Sequence, residues 1–213
     1  MKRLAILATA AIFLTACETA YYSGWEKLGK EKRDLLVDRI EDTQESQEDA
    51  QEEFADALEQ FRSVVEFDGG DLEKMYNRLN SEYEDSAEAA AEISGNIDRV
   101  EDVADDLFTE WEKEIQQYTS SNLRRDSEQK LKQTKRQYGG LLKSMRSAEK
   151  TIDPVLSTLK DQVLYLKHNL NARAISALKG ELQTVNTDVE RLIDAMEKSI
   201  QESNAFIAGM KDV

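Results

Sequence analysis

Apolar residues recur at alternating intervals of four and three along most of this chain, and the rhythm is clearest between Leu72 and Tyr118. Leu72, Tyr76, Leu79 and Tyr83 lead to Ala90, Ile93, Ile97, Val100, Ala104, Leu107, Trp111 and Tyr118, with only Ser86 and Glu114 out of character. A mean spacing of 3.5 residues lines these side chains up in one stripe on an α-helix, and a stripe that long escapes water only by facing other helices. An earlier stripe runs through Leu36, Ile40, Ala50, Phe54, Ala57, Phe61 and Val64, with Thr43 and Gln47 making its middle polar. A third follows through Leu131, Tyr138, Leu141, Met145, Ala148, Ile152, Val155 and Leu159. The last contains Ile175, Leu178, Leu182, Val185, Val189, Leu192, Met196, Phe206 and Met210.

The breaks between stripes predict where the chain turns. Phe67-Asp68-Gly69-Gly70-Asp71 ends one helix on its glycines, and Asp71 is a candidate cap for the next. Tyr118-Thr119-Ser120-Ser121-Asn122 is rich in side chains that compete for backbone hydrogen bonds. Lys167-His168-Asn169-Leu170-Asn171 carries two asparagines that weaken helical preference. Pro154 either opens a new helix, with Asp153 as cap, or kinks a continuing one. Gly139-Gly140 marks either a weak point or a close approach of another helix. The expected fold is all-α, an elongated antiparallel bundle of three to four long, coiled-coil-like helices. The favoured version has four matched helices, about 22–66, 71–118, 122–168 and 172–210, running up-down-up-down.

Ahead of the first stripe, Lys2 and Arg3 precede an apolar run from Leu4 to Thr15. That is the length of a signal-peptide core and too short to cross a bilayer. The run ends in Leu14-Thr15-Ala16-Cys17, which resembles the lipobox of bacterial lipoproteins. The resemblance implies cleavage between Ala16 and Cys17 and attachment of diacylglycerol to the Cys17 sulfur. Two or more acyl chains hold a protein stably on a membrane without a further anchor. Glu18 stands where Asp retains such proteins in the inner membrane of Escherichia-type bacteria, which favours the outer membrane facing the periplasm. The expected organisation is a signal peptide over 1–16, a lipidated tether over 17–21 and one helical-bundle domain over 22–213. Cys17 is the sole cysteine, so no disulfide forms within the mature chain and packing alone stabilises it.

Charge adds an asymmetry to this picture. The 213 residues carry a formal net charge of −15. Residues 17–120 hold thirty-one acidic and ten basic side chains, whereas residues 122–180 hold five acidic and thirteen basic ones. The favoured explanation is internal, an acidic first half packed beside a basic third helix. The alternative is that Arg124, Arg125, Lys130, Lys132, Lys135, Arg136, Lys143, Arg146 and Lys150 meet phospholipid headgroups. Net acidity repels phosphate, so nucleic acid is not an expected partner.

Motifs for chemistry are sparse. His168 is the only histidine, which removes His-based zinc sites, and neither a phosphate loop, a GxSxG elbow nor an HExxH helix occurs. A structural hydrogen-bonding role suits His168 better than catalysis. The acidic stretch Glu41 to Glu53 lacks the glycine turn and alternating oxygen ligands of an EF-hand, so it reads as a solvated helix face. Carboxylate pairs on exposed faces lack the burial that separates an acid from a base. No catalytic residue, metal ligand, cofactor or small-molecule substrate is expected. Tyr21, Tyr22 and Trp25 suit either the membrane interface or closure of the bundle end.

Four stretches resemble an uncharacterised family of bacterial lipoproteins, domain of unknown function 2959. They are Ala20-Tyr21-Tyr22; Trp25 to Gly29 with Lys32 to Val37; Thr151 to Val155; and Leu166 to Ala174. The resemblance spans nearly the whole mature chain and implies an envelope lipoprotein with helical content, without an activity to carry over. The leading expectation is a non-enzymatic, lipid-anchored spacer, adaptor or assembly surface that meets an envelope protein or itself. The alternative is a membrane-surface binder or remodeller using the basic third helix.

Overall fold

A computed structural model describes residues 31–211, which form four helices: α1 (Lys32–Val65), α2 (Leu72–Ile115), α3 (Ser121–His168) and α4 (Ala172–Lys211). The expected all-α fold of four helices is what the described residues adopt; the first helix, expected over 22–66, begins at Lys32 after Glu31 in extended backbone, and residues 22–30 lie outside the described residues. The helix lengths of 34, 44, 48 and 40 residues correspond to rods of about 50–70 Å. Ala16, Cys17, Tyr21, Tyr22 and Trp25 lie outside the described residues.

Local chemistry explains the boundaries. Asp71 caps α2, its Oδ1 accepting the Lys74 N–H at 3.2 Å. Gly70 ahead of it has a φ of +124°, open to glycine and strained for other residues. Ser120 caps α3 by accepting the Leu123 N–H at 3.4 Å. Asn171 Oδ1 accepts the N–H groups of Arg173 and Ala174 at 3.0 and 3.2 Å, starting α4. Pro154 leaves α3 continuous from Ser121 to His168. It is exposed, so the backbone bond it cannot make falls on the solvent side, where water serves the freed carbonyl.

The helices pack in a ring, α1 on α2, α2 on α3, α3 on α4 and α4 on α1. Among the described residues α1 and α3 make no close backbone approach, and neither do α2 and α4; each pair lies on a diagonal. Cross-helix bonds set the register. Asn96 Nδ2 of α2 donates to the Asp42 carbonyl of α1 at 3.3 Å, and Ser94 Oγ of α2 donates to Glu149 of α3 at 2.7 Å. Residue 42 of α1 and about residue 147 of α3 therefore share a height along the bundle. The start of α1 lies beside the end of α2 through the Lys32–Glu110 ion pair at 3.2 Å. The first half of α3 and the end of α4 pack in antiparallel fashion, with Tyr138 and Phe206 edge-to-face at 6.3 Å.

The core contains every seam residue predicted for α1 and α3. In α2 the seam departs from the prediction. Leu72, Tyr76, Tyr83 and Ala90 in its first half and Leu107 and Trp111 near its end are only partly covered, Tyr118 is exposed beyond the helix, and Phe108 and Ile115 are buried instead of the predicted residues at that end. A straight helix drifts about 20° per heptad relative to a strict 3.5 repeat, so a stripe extrapolated over six heptads rotates out of the core at its end. Gly139 and Gly140 also differ from both expectations. They lie in continuous helix, and a Cβ added to either would meet nothing within 4 Å.

Candidate interaction surfaces

The seam of each helix defines the face opposite to it. On α1 the outermost row is Asp38, Glu45, Glu52 and Glu59, flanked by Asp34, Glu41 and Glu48 on one side and Asp42, Asp49 and Asp56 on the other. This face is acidic from end to end, and its carboxylates are exposed or partly so. On α3 the same construction gives Arg136, Lys143 and Lys150, all exposed, with Lys132 beside them. Gly139 and Gly140 lie between Arg136 and Lys143 and leave the backbone there uncovered.

The nine basic residues of the sequence prediction thus divide. Arg146 turns towards α2 and bonds Asp98 at 2.6 Å, Glu101, and Glu149 of its own helix at 3.0 Å. Burial opposes its charge, but the hydrogen bonds from Asp98, Glu101 and Glu149 outweigh this and raise its pKa above the ordinary arginine value. Lys135 reaches Glu112 of α2 at 2.5 Å and lies over the Phe108 ring, 5.4 Å from its centre. Lys130 pairs with Asp126 at 3.7 Å. Arg124 donates to the Tyr118 carbonyl at 2.8 Å, and Arg125 to Asn122 Oδ1 at 2.6 Å. The side chains of Lys132, Arg136, Lys143 and Lys150 make no ion pair or hydrogen bond among the described residues. The internal explanation of the charge asymmetry accounts for Arg146 and Lys135, which face acidic α2. It does not reach the outermost row.

Carboxylates converge at one place where α1 meets α2. Glu53, Glu82 and Asp85 bring ligand-capable oxygens within 4.8 Å of one another. Burial, then the charges of Asp85, Glu82, Asp56 and Glu52, raises the Glu53 pKa; burial, then Asp56 and Asp85, raises that of Glu82. Glu53 belongs to the acidic stretch already singled out, and Ser86 Oγ donates to its carbonyl at 3.4 Å. Among the described residues, no basic side chain offsets the like charges of the trio and nothing polar and deeply buried points into it. An open groove of about 480 Å³ lies between the end of α2 and the start of α3, lined by Ile115, Glu128, Leu131 and Lys132 among others.

The interior holds polar groups that sequence reading only half anticipated. Gln47 is fully buried, and its side-chain oxygen and nitrogen lack partners among the described residues, as does Ser199 Oγ across the core. Thr43, Ser46, Asn96 and Ser203 are buried nearby in height, with bonds to backbone carbonyls. The gap between Met196 and Phe206 in the last stripe was the available signal for Ser199 and Ser203. Tyr138 lies between the rings of Phe108 (5.4 Å) and Phe206, with no partner for its hydroxyl. Burial, reinforced by Glu101 and Asp105, raises its pKa and keeps it neutral. His168, expected to bond structurally, is instead exposed at the last residue of α3 and makes no hydrogen bond among the described residues. Trp111, near the end of α2, donates through Nε1 to Ser127 Oγ at 2.8 Å.

No described helix is long and apolar enough to cross a membrane. No curated protein gives a significant match to the chain. The sequence profile of the family described as protein of unknown function (DUF2959) matches residues 21–210, and the chain belongs to that family.

Proposed function

We propose that this chain is a lipid-anchored, non-enzymatic helical protein of the bacterial envelope, facing the periplasm and acting as a spacer, adaptor or assembly surface. The observation that carries the reading is the outward basic row Arg136, Lys143 and Lys150, which is exposed and unused by the fold. A charged row that does not stabilise its own bundle is available to another surface. Cys17 in its lipobox-like setting supports the tether, and Glu18 supports the outer membrane. Because α1 begins beside Glu110 near the end of α2, a tether entering α1 would hold the bundle near one end and let its length project.

Photo-crosslinkers placed at exposed positions along α1 and α3 in living cells test the assembly role. Discrete protein adducts from the outward faces are expected, and the absence of adducts from both faces overturns it. A second reading is membrane-surface binding, favoured by the bare backbone at Gly139 and Gly140 beside Arg136 and Lys143. Each base near an anionic leaflet contributes about 1 kcal/mol. Flotation of the chain with anionic vesicles, lost at high salt and absent with neutral vesicles, is what that reading requires.

A further inference from the structure

We infer that the assembly surface joins copies of this chain to one another: the basic row of α3 in one copy docks on the acidic face of α1 in the next, side by side and the same way up. The inference rests on the assembly reading above and names its partner as a second copy.

Three geometric facts favour this occupant. First, α1 and α3 lie on a diagonal, so their outward rows point to opposite sides of the bundle. Each copy then offers a basic side and an acidic side, which cannot satisfy each other within the molecule. Second, α1 and α3 run in the same direction, and both rows repeat every seven residues. A neighbour displaced sideways without rotation therefore presents its acidic row parallel to the basic one.

Third, the heights agree. With residue 42 of α1 level with about residue 147 of α3, Lys150 is level with Glu45, and Lys143 lies within a turn of Glu41. Glu48 is in reach of the same Lys150 on the neighbouring copy. The outermost α3 positions are Gln129 before Arg136 and Ser157 and Leu164 beyond Lys150, so the basic row occupies the middle of α3, level with about residues 31–45 of α1. Copies anchored to one membrane by the tether proposed above stand the same way up, which excludes an inverted neighbour. In the parallel arrangement Lys143 is level with Asp38 and Lys150 with Glu45, while Glu52 and Glu59 are level with Ser157 and Leu164.

The energetics select where this happens. A solvent-exposed ion pair is worth about 0.2–1 kcal/mol, so two or three such pairs leave free copies mostly dissociated in solution. Copies held on one membrane face each other at effective concentrations of about millimolar, and weak pairs then suffice. Because the joined surfaces differ, the contact is heterologous and does not close on itself, so it extends into rows of copies rather than stopping at a dimer.

Two full-length single variants, Lys150→Cys and Glu45→Cys, co-expressed in the native host and oxidised, test the geometry. A disulfide-linked pair containing one of each is expected, with little linkage when either variant is expressed alone. Lys150→Glu should lower the yield of a crosslink placed at neighbouring Lys143→Cys and Glu41→Cys about tenfold or more. Introducing Glu45→Lys in the acceptor copy should restore it. No mixed pair, or equal self-linkage of Lys150→Cys, overturns the proposal. So does loss of vesicle flotation in Lys150→Glu with the crosslink yield unchanged, which assigns the row to lipid instead. Failure of the tether is separately visible, because an unlipidated Cys17 would form linkages in the chain lacking any introduced cysteine.

Discussion

The outward faces of α1 and α3 are built on the same scaffold and carry opposite chemistry. Each helix buries a heptad seam in one shared core, and each turns its opposite row to solvent. Yet α1 shows carboxylates from Asp34 to Glu59, whereas α3 shows Arg136, Lys143 and Lys150. The contrast is not needed for folding, since the two helices never approach each other closely. Where charge does serve the fold, it crosses the α2–α3 boundary through Arg146 and Lys135. The lesson is that an overall charge imbalance between chain halves has two separate parts, one spent on packing and one left at the surface.

That division can be broken by substitution, beginning with the core both helices share. Phe54 is fully buried, and Phe54→Ala should lower unfolding free energy by about 3–5 kcal/mol, read by urea denaturation. A similar loss in a Lys150 variant would erase the distinction between inner and outer positions. Gln47→Leu should act in the opposite direction. It replaces two buried, partnerless polar atoms with apolar ones of similar volume and should stabilise by about 1–3 kcal/mol. Equal or lower stability would show that Gln47 is satisfied by buried water.

Arg146→Met tests the inner charges. It leaves Asp98, Glu101 and Glu149 facing one another and should lose about 1–2 kcal/mol, the range for charge-assisted bonds discounted for partial exposure. Glu82→Gln should raise the melting temperature slightly at neutral pH, by about 1 °C. A carboxyl with a raised folded pKa binds its proton more tightly in the fold, so stability falls as pH rises from the unfolded value through the raised one. The gain should therefore vanish once pH falls below the ordinary carboxylate range. The smallest effect is expected outside: Lys143→Gln with Lys150→Gln should change stability by less than about 0.5 kcal/mol.

Much of the fold was legible because long helices repeat their own signal. Every seam residue read for α1 and α3 is buried, and Asp71 caps α2 as its position between glycines and a stripe suggested. The end of α2 was misread because a fixed 3.5 repeat ignores the rotation of a straight helix, which brings Phe108 and Ile115 inward. Pro154 was ambiguous because a sequence does not reveal whether the lost hydrogen bond falls towards water. The charged rows were visible as composition only. Sorting Arg146 from Lys150 requires knowing which helix stands beside α3, and that depends on ring order rather than on local pattern. Gly139 and Gly140 misled for a related reason, since the same pair suits a close contact or an open face.

The tether proposed at residue 17 would support both the end-on display of the bundle and the crowding that makes weak charged contacts effective. Intact mass and N-terminal fragmentation of the mature chain, isolated from the envelope of its native host, test it most directly. The account predicts a chain that begins at Cys17 and carries diacylglycerol on its sulfur. A mature chain that begins elsewhere, or whose Cys17 bears a free thiol, contradicts it.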